Sequence, residues 1–380
     1  MKRHLTIWMA AALTVVLVAA GCSSDSSDGG SEGAGSDAPS TALVAEADEI
    51  VSAATERPTA MNIDTKIQGS IPQDGTLYFV ECGAPACAEL GDKVDEVAKS
   101  VGWESVRIQA GLTPETIKDA WQQVVNSNPQ SPAGVIASGF PKEIFASELA
   151  TLEAEGIPVV NISVNDDVGD GLTAVLGHGD DRNTEVGRVQ AAWVVADSEG
   201  TANTVFVRVA GFPTQVPQSE AFETEYARLC PDCEQDLLEV ATESMGTTLP
   251  QDIAAYLQSN PDVDYVVLSY GDMAIGVPSA LKDTGAADRV RAITDTPNPT
   301  VAQYIADDNV VVAATAYPGP EMVFSAADII FRSNLDEEIE TTVDAQLPLW
   351  LMTSETIPST TESFPIVESY REDFEALWNL

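Results

Sequence analysis

Two pairs of closely spaced cysteines are the most reactive groups that the sequence places near one another. Cys82 and Cys87 form one cluster, and Cys230 and Cys233 form the motif "CPDC". Pairing within each cluster predicts two short-range disulfides, which suit an oxidising environment. A thioredoxin-like redox pair is the alternative for "CPDC", but it needs its first cysteine at a helix start, and here the motif follows the helical stretch 219–229. A four-cysteine zinc site would join clusters more than 140 residues apart, so we expect no metal.

Residues suited to catalysis are scarce in this chain. Its two histidines are His4 and His178, and no Gly-x-Ser-x-Gly or His-Glu-x-x-His motif occurs. A hydrolytic or redox activity would therefore depend on His178 or on "CPDC" alone. We expect that the protein is not an enzyme and needs no cofactor. His178 then caps a connection between elements or contacts a ligand.

The charge of the chain excludes several partners. It contains 60 acidic and 18 basic residues, which gives a formal net charge of −42. Such a charge repels nucleic acid and anionic lipid surfaces, so we expect no nucleic-acid partner. A solvated acidic surface that keeps the protein soluble explains the charge without any acid-specific role.

The N-terminal segment has the pattern of an export signal. Basic residues at positions 2–4 precede an apolar run over 5–20, which is too short for a comfortable membrane span. The following "AAGC" resembles a bacterial lipobox, which implies that 1–21 is a signal peptide and that Cys22 carries lipid. A standard signal peptide with an incidental cysteine is the alternative. With lipid on Cys22, we expect an extracytoplasmic protein anchored to the cell membrane.

Regular structure begins after a polar tether. Residues 22–60 are predicted to be a lipidated tether and linker, with a short amphipathic piece at Leu43–Thr55 that we expect to lie against the domain. From Gly75 onward short β-branched runs alternate with helical periodicity, and Thr113-Pro114 has the pattern of a helix cap. The predicted strands are 76–81, 105–110, 133–138, 157–163, 203–209, 263–269, 289–293 and 309–314.

This alternation predicts an α/β fold. Its length, and a glycine-rich break over 164–180, favour two doubly wound parallel-sheet lobes joined by a three-crossover hinge, with a ligand cleft between them. We expect the crossovers near 164–180, near 315–320 and around residue 350. The predicted lobes are 74–176 with 318–348, and 177–317 with 349–380.

Several segments in this order resemble the type I periplasmic binding proteins, in particular the ribose-binding-like branch that serves ATP-driven importers. The segments are "GIPVVNIS" (156–163), "GDDRNTEVGRVQAAWV" (179–194), "DMAIGVPSALKDTG" (272–285), "AITDT" (292–296) and the C-terminal "YREDFEALWNL". Together they extend over most of the chain, which implies the family's fold.

The resemblance also implies where ligand contacts lie. The family's Asn-Pro-Phe-Phe turn after the first strand falls on Ala84, Pro85, Ala86 and Cys87, so its aromatic residues are absent here. The arginine that opens its Arg-x-x-Gly-Phe helix falls on Gln218. Its remaining polar contacts fall on Ser163, Tyr270 with Gly271, and Asp295, and its glutamine near the third crossover falls on Ala316 or Tyr317. We add Asp272 and Phe140 as candidate contacts, with core packing as the alternative for the aromatic residues. Because the charged groups that bind paired hydroxyls are largely replaced, a partly aromatic ligand fits these positions as well as a sugar does.

The function implied is capture of a small organic ligand by lobe closure, followed by delivery to an ABC permease in the membrane. A sensor that signals to a membrane receptor or kinase is the alternative, and no residue in the sequence separates the two. We expect a monomer.

Overall fold

The computed structural model of the chain describes residues 37–83, 85–111, 113–177, 182–210 and 212–380, and they form two α/β lobes. Cys22, Ala84 and His178 lie outside the described residues, as do the predicted signal peptide and the first part of the tether.

The first lobe is built on a five-stranded parallel sheet with the order β2-β1-β3-β4-β5. Its strands are β1 (Thr76–Cys82), β2 (Glu104–Gly111), β3 (Ala133–Ser138), β4 (Val159–Ile162) and β5 (Ala174–Leu176). Leu77 and Phe79 pack into the core on one face of the sheet, and Tyr78 and Val80 pack into the core on the other. Because both faces are buried, β1 is a continuous apolar run without polar alternation.

Helices cover both faces of this sheet. They are α2 (Pro85–Val101), α3 (Pro114–Asn126), α4 (Ala146–Ala154), α10 (Gly319–Ser333), α11 (Glu340–Val343) and α12 (Tyr370–Leu377). The predicted cap of α3 is confirmed, since the Thr113 side chain accepts a hydrogen bond from the backbone N–H of Thr116, with Pro114 in the first turn.

The second lobe is built on a six-stranded sheet with the order β11-β10-β9-β8-β6-β7. Its strands are β6 (Thr204–Val209), β7 (Gln235–Val240), β8 (Tyr265–Leu268), β9 (Arg291–Asp295), β10 (Val311–Thr315) and β11 (Leu351–Thr353). All neighbours are parallel except β11, which pairs antiparallel with β10. The predicted α/β fold with two parallel-sheet lobes is therefore confirmed, with one antiparallel edge strand added.

The helices of the second lobe again lie on both faces. They are α1 (Asp37–Thr55), α5 (Thr184–Asp197), α6 (Gln215–Leu229), α7 (Leu249–Ser259), α8 (Val277–Asp283) and α9 (Pro299–Ala306). Helix α1 buries Ala47 and Ala54 in the core that it shares with α5 and α6. The amphipathic piece predicted within the linker therefore lies against the domain, in a helix that begins at Asp37.

The eight predicted strands are all present, and three further strands were missed. Strand β5 lies inside the stretch 164–180 that we interpreted as a hinge, so the chain stays in the first lobe as far as Leu176. Strands β5 and β11 have only three residues each, which is too short for a periodic signal. Strand β7 is an edge strand with most residues partly or fully exposed, so it lacks a long apolar run.

Two connections between the lobes were not expected. Ile366 belongs to a core of the second lobe, whereas Phe374 and Trp378 of the C-terminal segment pack on the first. Near the N-terminus, α1 packs on the second lobe, and Ile63 is buried in the first. The chain therefore also passes between the cores at 55–61 and 366–367, although the exact lobe boundaries stay a prediction.

Candidate functional site

The carboxyl ends of four parallel strands bring the predicted site residues toward one region. Ser163 directly follows β4, Asp295 ends β9, and Tyr270 and Tyr317 lie two residues beyond β8 and β10. In open α/β sheets this edge is where ligands bind. The fold therefore explains why residues far apart in sequence converge.

Asp295 lies at the centre of this region in an ion pair with Arg182. Nη2 of Arg182 is 2.8 Å from Oδ1 of Asp295, and Nη1 is 3.2 Å from Oδ2, so the pair is bidentate. The side chains are only 10% and 8% exposed. Burial alone disfavours a charged guanidinium, but the adjacent carboxylate outweighs that effect and raises the pKa of Arg182.

Both members of this pair have further partners within the chain. The hydroxyl of Thr315 donates to Oδ1 of Asp295 at 2.6 Å, and that of Thr296 donates to Oδ2 at 2.9 Å. Arg182 also donates to the carbonyl oxygen of Ala316 at 3.0 Å and to Oδ1 of Asn183 at 3.2 Å. The pair therefore joins the start of α5 to β9, β10 and the connection that follows β10.

Tyr317 connects this ion pair to the first lobe. Its hydroxyl is hydrogen-bonded to the hydroxyl of Ser163, and the guanidinium carbon of Arg182 lies 5.5 Å from the centre of its ring. Burial raises the pKa of Tyr317, although the bond from Ser163 and the charge of Arg182 oppose that shift. A polar chain thus runs from β4 in one lobe, across the connection, to β9 in the other.

Backbone strain accompanies these contacts. Ser163 has a φ of 61° and Thr296 has a φ of 52°, both in the left-handed region that favours glycine. Such strain in residues other than glycine costs about 1–3 kcal/mol each and persists only where surrounding contacts impose it. Here both strained residues provide hydroxyls to the polar chain.

Tyr270 and Asp272 form the second part of the site. Burial raises the pKa of Tyr270 and the nearby Asp272 carboxylate raises it further, with smaller effects from Tyr317 and Asp295. Asp272 itself is exposed, and its Oδ1 accepts a hydrogen bond from Nδ2 of Asn298 at 2.6 Å. The structure therefore brings five predicted residues together: Ser163, Tyr270, Asp272, Asp295 and Tyr317.

Other predicted contacts lie elsewhere. Gln218 is buried between helices, where its side-chain amide donates to Oε1 of Gln190 at 2.9 Å. Phe140 packs in a core of the first lobe, as the alternative of core packing predicted. The backbone of Ala86 lies in α2, but its side chain, like all of Ala84, is outside the described residues.

Both disulfides are present as predicted, between Cys82 and Cys87 and between Cys230 and Cys233. The first joins the end of β1 to the first turn of α2, at the strand edge that holds the site. The second lies beyond the end of α6, away from the predicted site residues.

Arg182 is the site residue that sequence reasoning missed. It lies in a segment that we matched to the family for its helix opening, and no contact was assigned to it. A signal was available, because few basic residues occur in this acidic chain and Arg182 follows two aspartates next to a lobe connection.

A separate cavity of about 480 Å³ lies between the end of β7 and the start of α7. Three acidic side chains line it, those of Glu239, Glu243 and Asp252. All its lining residues belong to the second lobe, so closure of the lobes cannot act on a ligand held there. We therefore take the Asp295 region, and not this cavity, as the candidate site.

The described residues contain neither a membrane-spanning helix nor a cluster of metal ligands. Within the described ranges, no helix is long and apolar enough to cross a membrane. The same residues contain no group of three or more His, Cys, Asp or Glu placed to hold a metal ion.

Residues 81–333 match the family profile described as a periplasmic binding protein domain. No curated protein sequence matched the chain. Among solved structures, it resembles an ABC transporter periplasmic solute binding protein from Actinobacillus succinogenes with bound D-allose, at 15% identity and a TM-score of 0.65 over 75% of this chain and 99% of that one.

Two further structures are similar. One is a glucose-galactose binding protein from Geobacillus stearothermophilus, with 14% identity, a TM-score of 0.63, and coverage of 76% and 99% of the two chains. The other is an ABC transporter solute binding protein from Bacillus halodurans with bound myo-inositol, with 16% identity, a TM-score of 0.63, and coverage of 76% and 98%. At these identities the similarity shows the shared fold.

Proposed function

Because the chain belongs to the periplasmic binding protein family, we propose that it captures a small organic ligand between its two lobes outside the cytoplasm. The observation that carries this proposal is the polar chain from Ser163 through Tyr317 and Arg182 to Asp295, since it joins the strand ends of both lobes. A ligand at this place contacts both lobes at once.

Closure follows from that arrangement. A ligand that contacts both lobes makes more contacts in the closed form than in the open one, and only such differential affinity shifts the equilibrium. Tyr270, Tyr317 and Asp272 are the contacts we propose, and the ligand is sugar-like or partly aromatic. No bond is made or broken in the ligand, and the chain acts as a monomer.

The loaded protein then delivers its ligand to an ABC permease in the membrane. The solute-binding proteins of similar fold that carry D-allose or myo-inositol are described as ABC transporter components, which supports this partner. Lipid on Cys22 would keep the protein near that permease. Replacing Cys22 by serine should release the mature protein from the membrane fraction, and unchanged membrane association would contradict the anchor.

The capture itself is tested on the purified mature protein. Native mass spectrometry should detect a small molecule that co-purifies, and small-angle scattering should show a smaller radius of gyration with that molecule than without it. A protein that neither carries nor responds to a small molecule would overturn the proposal. A ligand released with altered covalent structure would indicate an enzyme instead.

A further inference from the structure

The two carboxylates of the site differ in how much hydrogen-bonding capacity remains for a ligand. Asp295 accepts two hydrogen bonds from Arg182 and one each from Thr296 and Thr315. A carboxylate offers about four acceptor positions. The chain itself therefore uses the acceptor capacity of Asp295.

The two terminal nitrogens of Arg182 are likewise fully hydrogen-bonded within the protein. Nη1 donates to Asp295 and Asn183, and Nη2 donates to Asp295 and the carbonyl of Ala316. The two nitrogens carry four N–H groups in total, so each has a partner. Moving the guanidinium to admit a ligand would leave a buried carboxylate without its charge partner, which is strongly unfavourable.

The carboxylate of Asp272, in contrast, keeps acceptor positions for a ligand. It is exposed, and among the described side chains it accepts a hydrogen bond from Asn298 at 2.6 Å and one from the hydroxyl of Tyr270, which leaves about two of its four acceptor positions for a ligand. Tyr270 lies close enough for Asp272 to affect its ionisation. An acceptor with spare capacity therefore lies beside a flat, partly buried ring, and the Tyr317 ring completes the site.

We infer that Arg182 seals Asp295 from the ligand, so that the site takes a planar ligand with N–H donors for Asp272 in preference to a polyhydroxyl sugar. The rings of Tyr270 and Tyr317 provide flat apolar surface, and the remaining acceptor positions of the Asp272 carboxylate accept from a donor in the ligand plane. A sugar would need several donors and acceptors for its paired hydroxyls, and those of Asp295 and of the terminal nitrogens of Arg182 are already bonded within the protein. The inference rests on the proposed ligand capture and specifies its ligand class.

The test compares two classes of probe by isothermal titration with the mature protein. Adenine and cytosine are planar and carry N–H donors, whereas D-allose, L-arabinose and myo-inositol are hydroxyl-rich. Caffeine is the matched planar probe, because it is a purine without any N–H group. We expect adenine or cytosine to bind, caffeine to bind at least about tenfold more weakly, and the sugars to give no heat.

Two substitutions assign the preference to the named residues. Asp272→Asn should weaken adenine or cytosine about tenfold, because one charge-assisted bond is lost, whereas Asp283→Asn, at an exposed position of the same lobe, should leave affinity unchanged. Arg182→Met should gain sugar binding, since two acceptor positions of Asp295 become free. Arg188→Met, on the helix α5 that follows Arg182 and 48% exposed, is its control. If Arg182→Met does not fold, Arg182→Lys replaces it, because a single ammonium cannot occupy both carboxylate oxygens.

The outcomes separate the inference from the proposed function. Sugar binding by the unchanged protein, or no binding of either planar probe with an N–H group, overturns the inferred ligand class. If a sugar binds and the lobes close on it, ligand capture stands and only the role of Arg182 is wrong. If no small molecule binds or co-purifies, ligand capture itself fails.

Discussion

The guanidinium carbon of Arg57 lies 4.8 Å from the centre of the Trp350 ring, so the N-terminal segment is held on a connection between the two lobes. Arg57 also donates to the carbonyl oxygens of Pro365 and Ile366, at 2.8 and 2.9 Å. Trp350 in turn donates its ring N–H to the carbonyl of Thr55 at 3.1 Å. Three separate parts of the chain therefore meet at this arginine.

Replacing Arg57 by alanine should lower the free energy of unfolding by about 2 kcal/mol, because hydrogen bonds from a charged group and a cation–π contact are lost together. Urea denaturation followed by tryptophan fluorescence measures the change. Lys118→Ala is the control, since this side chain lies at an exposed position of α3, and it should cost at most about 0.5 kcal/mol. Equal effects of the two substitutions would show that Arg57 does not fasten the segment.

Glu321 should make stability depend on pH near neutrality. It is fully buried near the start of α10 and accepts a hydrogen bond from the backbone N–H of Val367 at 2.8 Å. Burial is the main cause that raises the pKa of Glu321 from its ordinary value of 4.5 to about 7, against opposing backbone hydrogen bonds. Because the folded state favours the protonated form, this group stabilises the fold fully below pH 4.5 and loses that contribution as pH rises through about 7.

Glu321→Gln should therefore remove this dependence, because the amide keeps an acceptor for Val367 and cannot ionise. Above pH 7 the variant should be more stable than the unchanged protein by roughly 3 kcal/mol, and the difference should shrink as pH falls toward 4.5. Glu372→Gln, at an exposed position of α12, is the control. Denaturation curves at a series of pH values test this, and a constant difference between Glu321→Gln and the unchanged protein would contradict it.

Gly187 allows α5 and α6 to approach each other closely. A Cβ atom at this position would lie 2.2 Å from the carbonyl oxygen of Gln218. Gly187→Ala should therefore destabilise the protein by about 1–3 kcal/mol, even though alanine favours helices. Gly91→Ala is the comparison, because its Cβ would meet the end of the Arg107 side chain instead of backbone, so its cost is limited to shifting that guanidinium and its ion pairs. Thermal unfolding of both variants decides the point, and a stabilised Gly187→Ala would show that the helices can separate without cost.

The alternation of apolar runs and helical periodicity predicted the fold because both sheets are buried on both faces. Phe206 and Val207 of β6, for example, enter different cores, so the strand appears in the sequence as an uninterrupted apolar run. Strands that are not long apolar runs buried on both faces were missed. Strand β7 at a sheet edge and the three-residue strands β5 and β11 have no pattern of their own and depend on pairing with distant neighbours.

The site was only partly predictable, for a different reason. Asp295 and Tyr270 were predicted from the resemblance to the family, and the structure brings them together because both follow strands whose ends converge in this fold. The partner of Asp295 lies 113 residues earlier in the chain, and no local pattern indicates a pairing over that separation. Gln218 was predicted to contact the ligand, but it lies between helices. The sequence predicts that this residue is on a helix, but not which side of that helix faces a neighbouring helix.

Residues 61–73 lie between the predicted linker and the predicted first lobe, and neither assignment covered them. Ile67 is nevertheless 1% exposed in the core of the first lobe, and its backbone N–H donates to the carbonyl of Leu377 at 2.9 Å. Isolated apolar residues with polar neighbours have neither helical nor strand periodicity, so the sequence does not reveal that they are buried.

Ile67→Ala should therefore lower the free energy of unfolding by about 2–4 kcal/mol, since buried methyl groups are lost and the surrounding core collapses only partly into the cavity. Ile275→Ala, at a side chain that is 43% exposed, removes the same atoms and should cost less than about 1 kcal/mol. Urea denaturation of both variants measures the difference. Similar losses of stability for the two substitutions would mean that the segment around Ile67 is only loosely attached. A larger loss for Ile67→Ala, as expected, makes residues 61–71 part of the first lobe.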